Sequence, residues 1–136
     1  MAFAEMVDAG SLAFGNKRTR TYLDRGSDED WLGVQLVGCE AEHIAESARI
    51  LNDYRFDVID FNLGCPAPKV AKKGAGAVLG TNIDKAVKLF SIIAGISRVP
   101  VSAKIRILNE TDPASTVEIV KKLESAGASA VTIHGR

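Results

Sequence analysis

Residues 57–80, DVIDFNLGCPAPKVAKKGAGAVLG, constrain the fold more than any other stretch. Val58 to Leu63 is an apolar run of strand length, and Gly64 stops it. Cys65 follows, Pro66 and Pro68 stiffen the exit, and Lys69, Lys72, Lys73, Gly74 and Gly76 come next. A thiol therefore stands at the C-terminal end of a strand, on a loop with positive charge behind it. In β/α proteins that end of the sheet is where chemistry sits.

The flanking sequence repeats the pattern. Strands are predicted at residues 3–7 (FAEMV), 31–38 (WLGVQLVG), 100–106 (PVSAKIR) and 130–134 (AVTIH). A helical turn is predicted at 9–14, ending at Gly15, and a short helix opens in the basic cluster NKRTR and runs to Leu23. Residues 25–30 are polar and contain Gly26, which reads as a loop.

Residues 42–53 carry Ile44, Ala48 and Leu51 on one helical face. Thr81, with Asp84 three residues on, reads as the N-cap of a helix reaching Ser97 and burying Val87, Phe90 and Ile93 or Ala94. Asp112 reads as a cap with Pro113 at the first helical position. That helix buries Ile119, Val120 and Leu123, and Gly127 ends it.

Strands alternating with helices give an α/β chain with about five parallel strands, covered on both faces. A core made mainly of Val, Ile, Leu and Ala agrees, since aromatics are only 6% of a chain that is 46% apolar. A closed (β/α)8 barrel takes about 250 residues, and this chain has 136. No G-x-G-x-x-G follows the first strand and no Gly-Lys-Ser/Thr is present, so neither a dinucleotide fingerprint nor a phosphate loop is read here.

Polar residues interrupt or end the strands: Gln35 lies within one, Asn62 and Cys65 end another, Lys104 and Arg106 a third, and His134 and Arg136 the last. Parallel strand ends converge, so an amide, a thiol, a cation and an imidazole meet in one pocket. Each has a blander reading. Cys65 alone fits a small core filler, His134 alone a satisfied histidine, and the three lysines alone a solvated loop. Cys39 reads as structural and His43 as a surface residue of its helix. No C-x2-C or H-x3-H pair exists, which argues against a metal site.

Charge balances at 17 basic and 17 acidic residues, so only local clustering bears on nucleic acid. No apolar run approaches the roughly 20 residues of a membrane helix. With two cysteines and no leader pattern, a reduced cytoplasmic protein is expected.

Taken together, NLGCPAPKVAKKGAGAVL (62–79), GVQLVG (33–38), AKIR (103–106) and TIHGR (132–136) resemble the tRNA-dihydrouridine synthase family in order and spacing. EMV (5–7) and GNKRTR (15–20) fit its early part. The resemblance implies an FMN-containing TIM barrel that uses NADPH to reduce tRNA uridine to 5,6-dihydrouridine. Carried over by motif, Cys65 is the proton donor, and Gln35, Lys104 and His134 contact FMN. Asn62 and Arg106 line the flavin and substrate side, while Lys17, Arg18, Lys69, Lys72 and Lys73 meet tRNA phosphates. A thiol with no partner to take its proton can donate it at neutral pH. The nearby lysines favour thiolate, which leaves a nucleophilic reading open.

By the same resemblance, residues 1–136 form a partial barrel, roughly the second to sixth strands. The flavin-contacting first strand, the phosphate-holding last two and the helical tRNA-binding domain lie outside it. Such a stretch alone is expected to be inactive and to bind FMN weakly or not at all. Two other readings stay open. One is a related FMN barrel acting on a free pyrimidine, such as a dihydropyrimidine or dihydroorotate dehydrogenase. The other is a non-catalytic half-barrel that self-associates, or pairs with a partner, through open edges.

Overall fold

The computed structural model describes residues 2–135. Met1 and Arg136, the second of them an expected strand-end cation, lie outside the described residues. The elements run β1 (Ala2–Asp8), α1 (Ala9–Ala13), α2 (Lys17–Thr21), β2 (Leu32–Val37), α3 (Ala41–Leu51), β3 (Val58–Leu63) and α4 (Pro68–Ala71). They continue as α5 (Ala77–Thr81), α6 (Ile83–Ile96), β4 (Val101–Arg106), α7 (Ala114–Ser125) and β5 (Ala130–His134).

All four strand pairs are parallel, and the spatial order is the sequence order, β1-β2-β3-β4-β5. That order decides the architecture. Parallel crossovers are right-handed, so strands that always advance in one direction put every helix on the same face. The result is a barrel wall, not a doubly wound sheet. The helices duly neighbour one another in sequence, α1 on α3, α3 on α6 and α6 on α7. β1 and β5 are the sheet's edges among the described residues.

Strand alternation divides the side chains. Val34, Leu36, Ile59, Phe61, Leu63, Ala103 and Ile105 point to the helices and join Ile44, Ala48, Leu51, Ala86, Leu89, Phe90, Ile93, Ile119 and Leu123 in one buried core. Gln35, Asp60, Asn62, Ser102, Lys104 and Thr132 alternate with them and take the other face. The strands are therefore not sandwiched between helices as expected. β3 is buried along its whole length, but its second face is covered by polar neighbours on the adjoining strands.

Three helical details differ from expectation. Asn82, not Thr81, caps α6: its Oδ1 accepts from Lys85 N at 3.2 Å. Thr81 is instead the last residue of α5, with its hydroxyl on Val78 O, and Asp84 reaches out to Lys122 at 2.9 Å. Residues 68–71, expected as loop, make the single turn α4. In α7 Pro113 takes the cap position while Asp112 Oδ1 still accepts from Ala114 N at 2.9 Å. Val87, Ala94 and Val120 sit at the core's margin, while Ala86 and Leu89 take central places.

Candidate active site

Strand register brings the predicted polar residues together at one end of the concave face. Gln35 lies beside Asp60, Asn62 beside Lys104, Lys104 beside Thr132, and Arg106 beside His134. A cavity of about 500 Å³ runs from the middle of this face, at Gln35, Asp60, Ser102, Lys104 and Thr132, toward the strand beginnings at Phe3, Trp31 and Ala130; Asn62, Cys65, Arg106 and His134 lie outside its lining.

Four of these side chains form a continuous hydrogen-bonded chain. Ser102 Oγ donates to Asp60 Oδ1 at 2.6 Å, and Gln35 Nε2 donates to Asp60 Oδ2 at 2.7 Å. Asn62 Nδ2 donates to Gln35 Oε1 at 2.7 Å and approaches Met6 Sδ at 3.3 Å. Asn62 Oδ1 then accepts from the backbone N–H of Gly64 at 3.0 Å and of Cys65 at 2.8 Å. Asn62 is only 6% exposed, so its amide is engaged within the chain and fixes the start of the cysteine loop.

The far side of that loop is held by glycine. Ala77 N donates to Cys65 O at 2.9 Å. Gly76 has φ of 60° and ψ of −128°, a conformation open essentially to glycine alone. A Cβ there would lie 2.5 Å from Cys65 O, and one on Gly80 would lie 2.4 Å from Leu63 O. The two glycines let α5 press against the end of β3, which leaves Cys65 half-buried just past the C-terminal end of β3 with a free thiol.

Around the thiol the cations divide. The Lys104 ammonium is half-buried and has no ion pair among the described residues. Arg106 Nε is buried with no hydrogen-bond partner among them. Both call for a polar group that the described residues do not supply. Lys69 and Lys72 are exposed. Lys73 is committed within the chain: Nζ contacts Asp8 Oδ2 at 2.8 Å, and its carbonyl accepts from Cys39 Sγ at 2.8 Å. Burial resists ionisation of Asp8, but Lys73 and the Ser11 N–H outweigh it and hold the carboxyl below its ordinary range.

Cys39 thus latches two loops, in keeping with a structural role, and burial, then Glu40, pushes its thiol up. His43 is half-buried against the edge of Phe14, with ring centroids 5.0 Å apart. No cluster able to hold a metal occurs among the described residues, and no helix there is long and apolar enough to cross a membrane.

Sequence reasoning missed Asp60 and Ser102 as site residues. The signal was there: each stands two residues before a predicted site residue, Asn62 and Lys104 respectively. Two is the strand period, so they share a face.

The model of the family described as Dihydrouridine synthase (Dus) matches residues 1–136. A tRNA-dihydrouridine synthase B from Pasteurella multocida is 32% identical over 136 residues, all of this chain and 41% of the relative. One from Proteus vulgaris is 34% identical over the same span, 42% of its length. A probable tRNA-dihydrouridine synthase from Rhodobacter capsulatus is 41% identical over 103 residues, 76% of this chain and 32% of the relative. The chain spans about two fifths of the length of the relatives that it matches end to end.

Proposed function

Because the chain belongs to the dihydrouridine synthase family, we propose that it forms the wall of a flavin site at which tRNA uridine is reduced to 5,6-dihydrouridine with NADPH. The observation that carries this is the half-buried Lys104 ammonium, without an ion pair among the described residues, in a cavity that it shares with the Gln35 amide, the Ser102 and Thr132 hydroxyls and the hydrogen-bonded Asp60 carboxylate.

Those residues fit FMN by their chemistry. A reduced flavin ring gathers negative charge, which a half-buried cation stabilises and a buried carboxylate facing it would oppose. Asp60 is engaged within the chain, both its oxygens accepting hydrogen bonds, from Ser102 and Gln35. Lys104, Gln35 and His134 would hold the ring. Bound and reduced by NADPH, FMN supplies a hydride.

The rest is the work of this chain. Hydride addition at one carbon of the uracil C5–C6 bond leaves the other, C5, in need of a proton. The Cys65 thiol donates it from the loop that follows β3. Asn62 keeps the Cys65 loop in place through its two backbone contacts. Arg106, whose Nε lacks a partner among the described residues, binds the substrate side. Exposed Lys69 and Lys72, with Lys17 and Arg18, meet tRNA phosphates. A flipped uridine gives the thiol its access. Free thiols and a tRNA substrate support a cytoplasmic protein.

The test is Lys104→Met. In the full barrel that contains this chain, removing a charge-assisted contact should weaken FMN binding by about tenfold or more, read by titrating flavin fluorescence. Unchanged affinity would remove Lys104 from the site.

A further inference from the structure

The least explained feature of the site is Asp60, a carboxylate 4% exposed in the middle of β3. A carboxylate only accepts hydrogen bonds, and a backbone N–H only donates. A carboxamide has one donor end and one acceptor end, which are nearly the same size and can exchange places.

Between Asp60 and the Cys65 N–H stand two carboxamides, Gln35 and Asn62. Asp60 captures the NH2 of Gln35. The Gln35 oxygen must then face Asn62, and the NH2 of Asn62 must turn toward it. That leaves the Asn62 oxygen for the N–H groups of Gly64 and Cys65. With an acceptor at one end and donors at the other, the chain is satisfied in one orientation only.

We propose that Asp60 is a positioning residue of the site: its carboxylate at one end, matched to the Gly64 and Cys65 N–H groups at the other, sets a single orientation of the Gln35 and Asn62 amides and through them anchors the loop that carries the Cys65 thiol. Ser102 completes the carboxylate from the β4 side at 2.6 Å. The proposal deepens the functional reading, since it gives that thiol its fixed position. The hydrogen-bond chain itself depends on neither flavin nor RNA.

The test exchanges the two ends. Asn62→Asp places acceptor-only groups on both sides of Gln35, whose single donor end cannot serve both. Asp60→Asn alone is mild, because the new carboxamide can accept from Gln35 and donate to the Ser102 hydroxyl, which serves either way. The double variant runs the chain backwards with every group satisfied. The carboxylate, now at position 62, accepts from Gln35 Nε2 and from the two backbone N–H groups. Gln35 Oε1 accepts from the NH2 of the carboxamide now at position 60, whose oxygen accepts from Ser102.

Two readouts follow Cys65 directly, its backbone amide resonance and its alkylation rate by iodoacetamide. Asn62→Asp should shift the resonance and change the rate by about tenfold. Adding Asp60→Asn should bring the rate back to within about twofold of the parent. If Asn62→Asp alone does not fold, recovery of folding in the double variant gives the same support. A double variant as disturbed as the two single changes added together overturns the proposal, and so does an Asn62→Asp protein whose Cys65 amide has not moved. Neither readout needs flavin or tRNA, so this proposal and the uridine-reduction reading can fail separately.

Discussion

In the full barrel that contains this chain, replacing Cys65 with alanine should lower tRNA uridine reduction by about 10²- to 10⁴-fold, the usual range for loss of a positioned general acid. Oxidation of NADPH by the flavin should continue at the parent rate. The dissociation of the two half-reactions follows from the geometry. The loop around Cys65 is held by its backbone, through Asn62 Oδ1 and Ala77 N. Its thiol takes no hydrogen bond among the described residues, so alanine removes the proton donor and leaves the scaffold standing. Lys104 and Gln35, assigned to the flavin, lie on β4 and β2 and keep their places. The check is a paired assay, NADPH consumption in a flavin-reduction half-reaction against dihydrouridine formed. Parent-level tRNA reduction by the alanine variant would remove Cys65 from the chemistry. Loss of both half-reactions would mean that the substitution had damaged the flavin site.

The largest effect on stability is expected at Gly76. Alanine there meets two penalties at once. A backbone at φ 60° and ψ −128° costs a residue with a Cβ about 1–3 kcal/mol. The new Cβ would also lie 2.5 Å from Cys65 O and 2.9 Å from Val70 Cγ1. A backbone carbonyl held by Ala77 N cannot simply step aside, so α5 must lift away from β3 or the cysteine loop must shift. Gly76→Ala should therefore lose more than about 2 kcal/mol in urea unfolding and should change the alkylation rate of Cys65. Gly95, near the end of α6, is the control, because a Cβ there meets nothing within 4 Å. Alanine at that position should be neutral or stabilising by up to about 1 kcal/mol. Equal behaviour of the two variants would show that the close approach at Gly76 carries no stability.

The sequence was most legible where period and length agree. Val58–Leu63 and Ala130–His134 occupy their expected spans, and α3, α6 and α7 present faces centred on Ile44, Phe90 and Ile119. Which side of the sheet the helices take was not legible. Alternation of strand and helix is common to barrels and doubly wound sheets, and only the order of strands in space separates them.

Local composition misled at residues 76–81. Gly76 and Gly80 look like breakers, yet they are the positions where a helix comes too close to strand carbonyls to carry a side chain. With α5 hidden, Thr81 drew the cap that belongs to Asn82. Pairings distant in sequence were equally hidden. Nothing near Lys73 announces Asp8, 65 positions away, so one lysine of the loop is committed while Lys69 and Lys72 stay exposed. Asp60 passed as part of an apolar run because its partners, Gln35 and Ser102, come from the two neighbouring strands.

The central claim is that this wall of five strands serves uridine reduction in tRNA. The most direct measurement is mass spectrometry of nucleosides from dihydrouridine-free tRNA after incubation with the full barrel that contains these five strands, FMN and NADPH. The account predicts a new nucleoside heavier than uridine by two hydrogens, dependent on NADPH and absent with Cys65→Ala. Folded, flavin-loaded protein that oxidises NADPH but leaves tRNA uridine unchanged, while reducing a free pyrimidine, would contradict it.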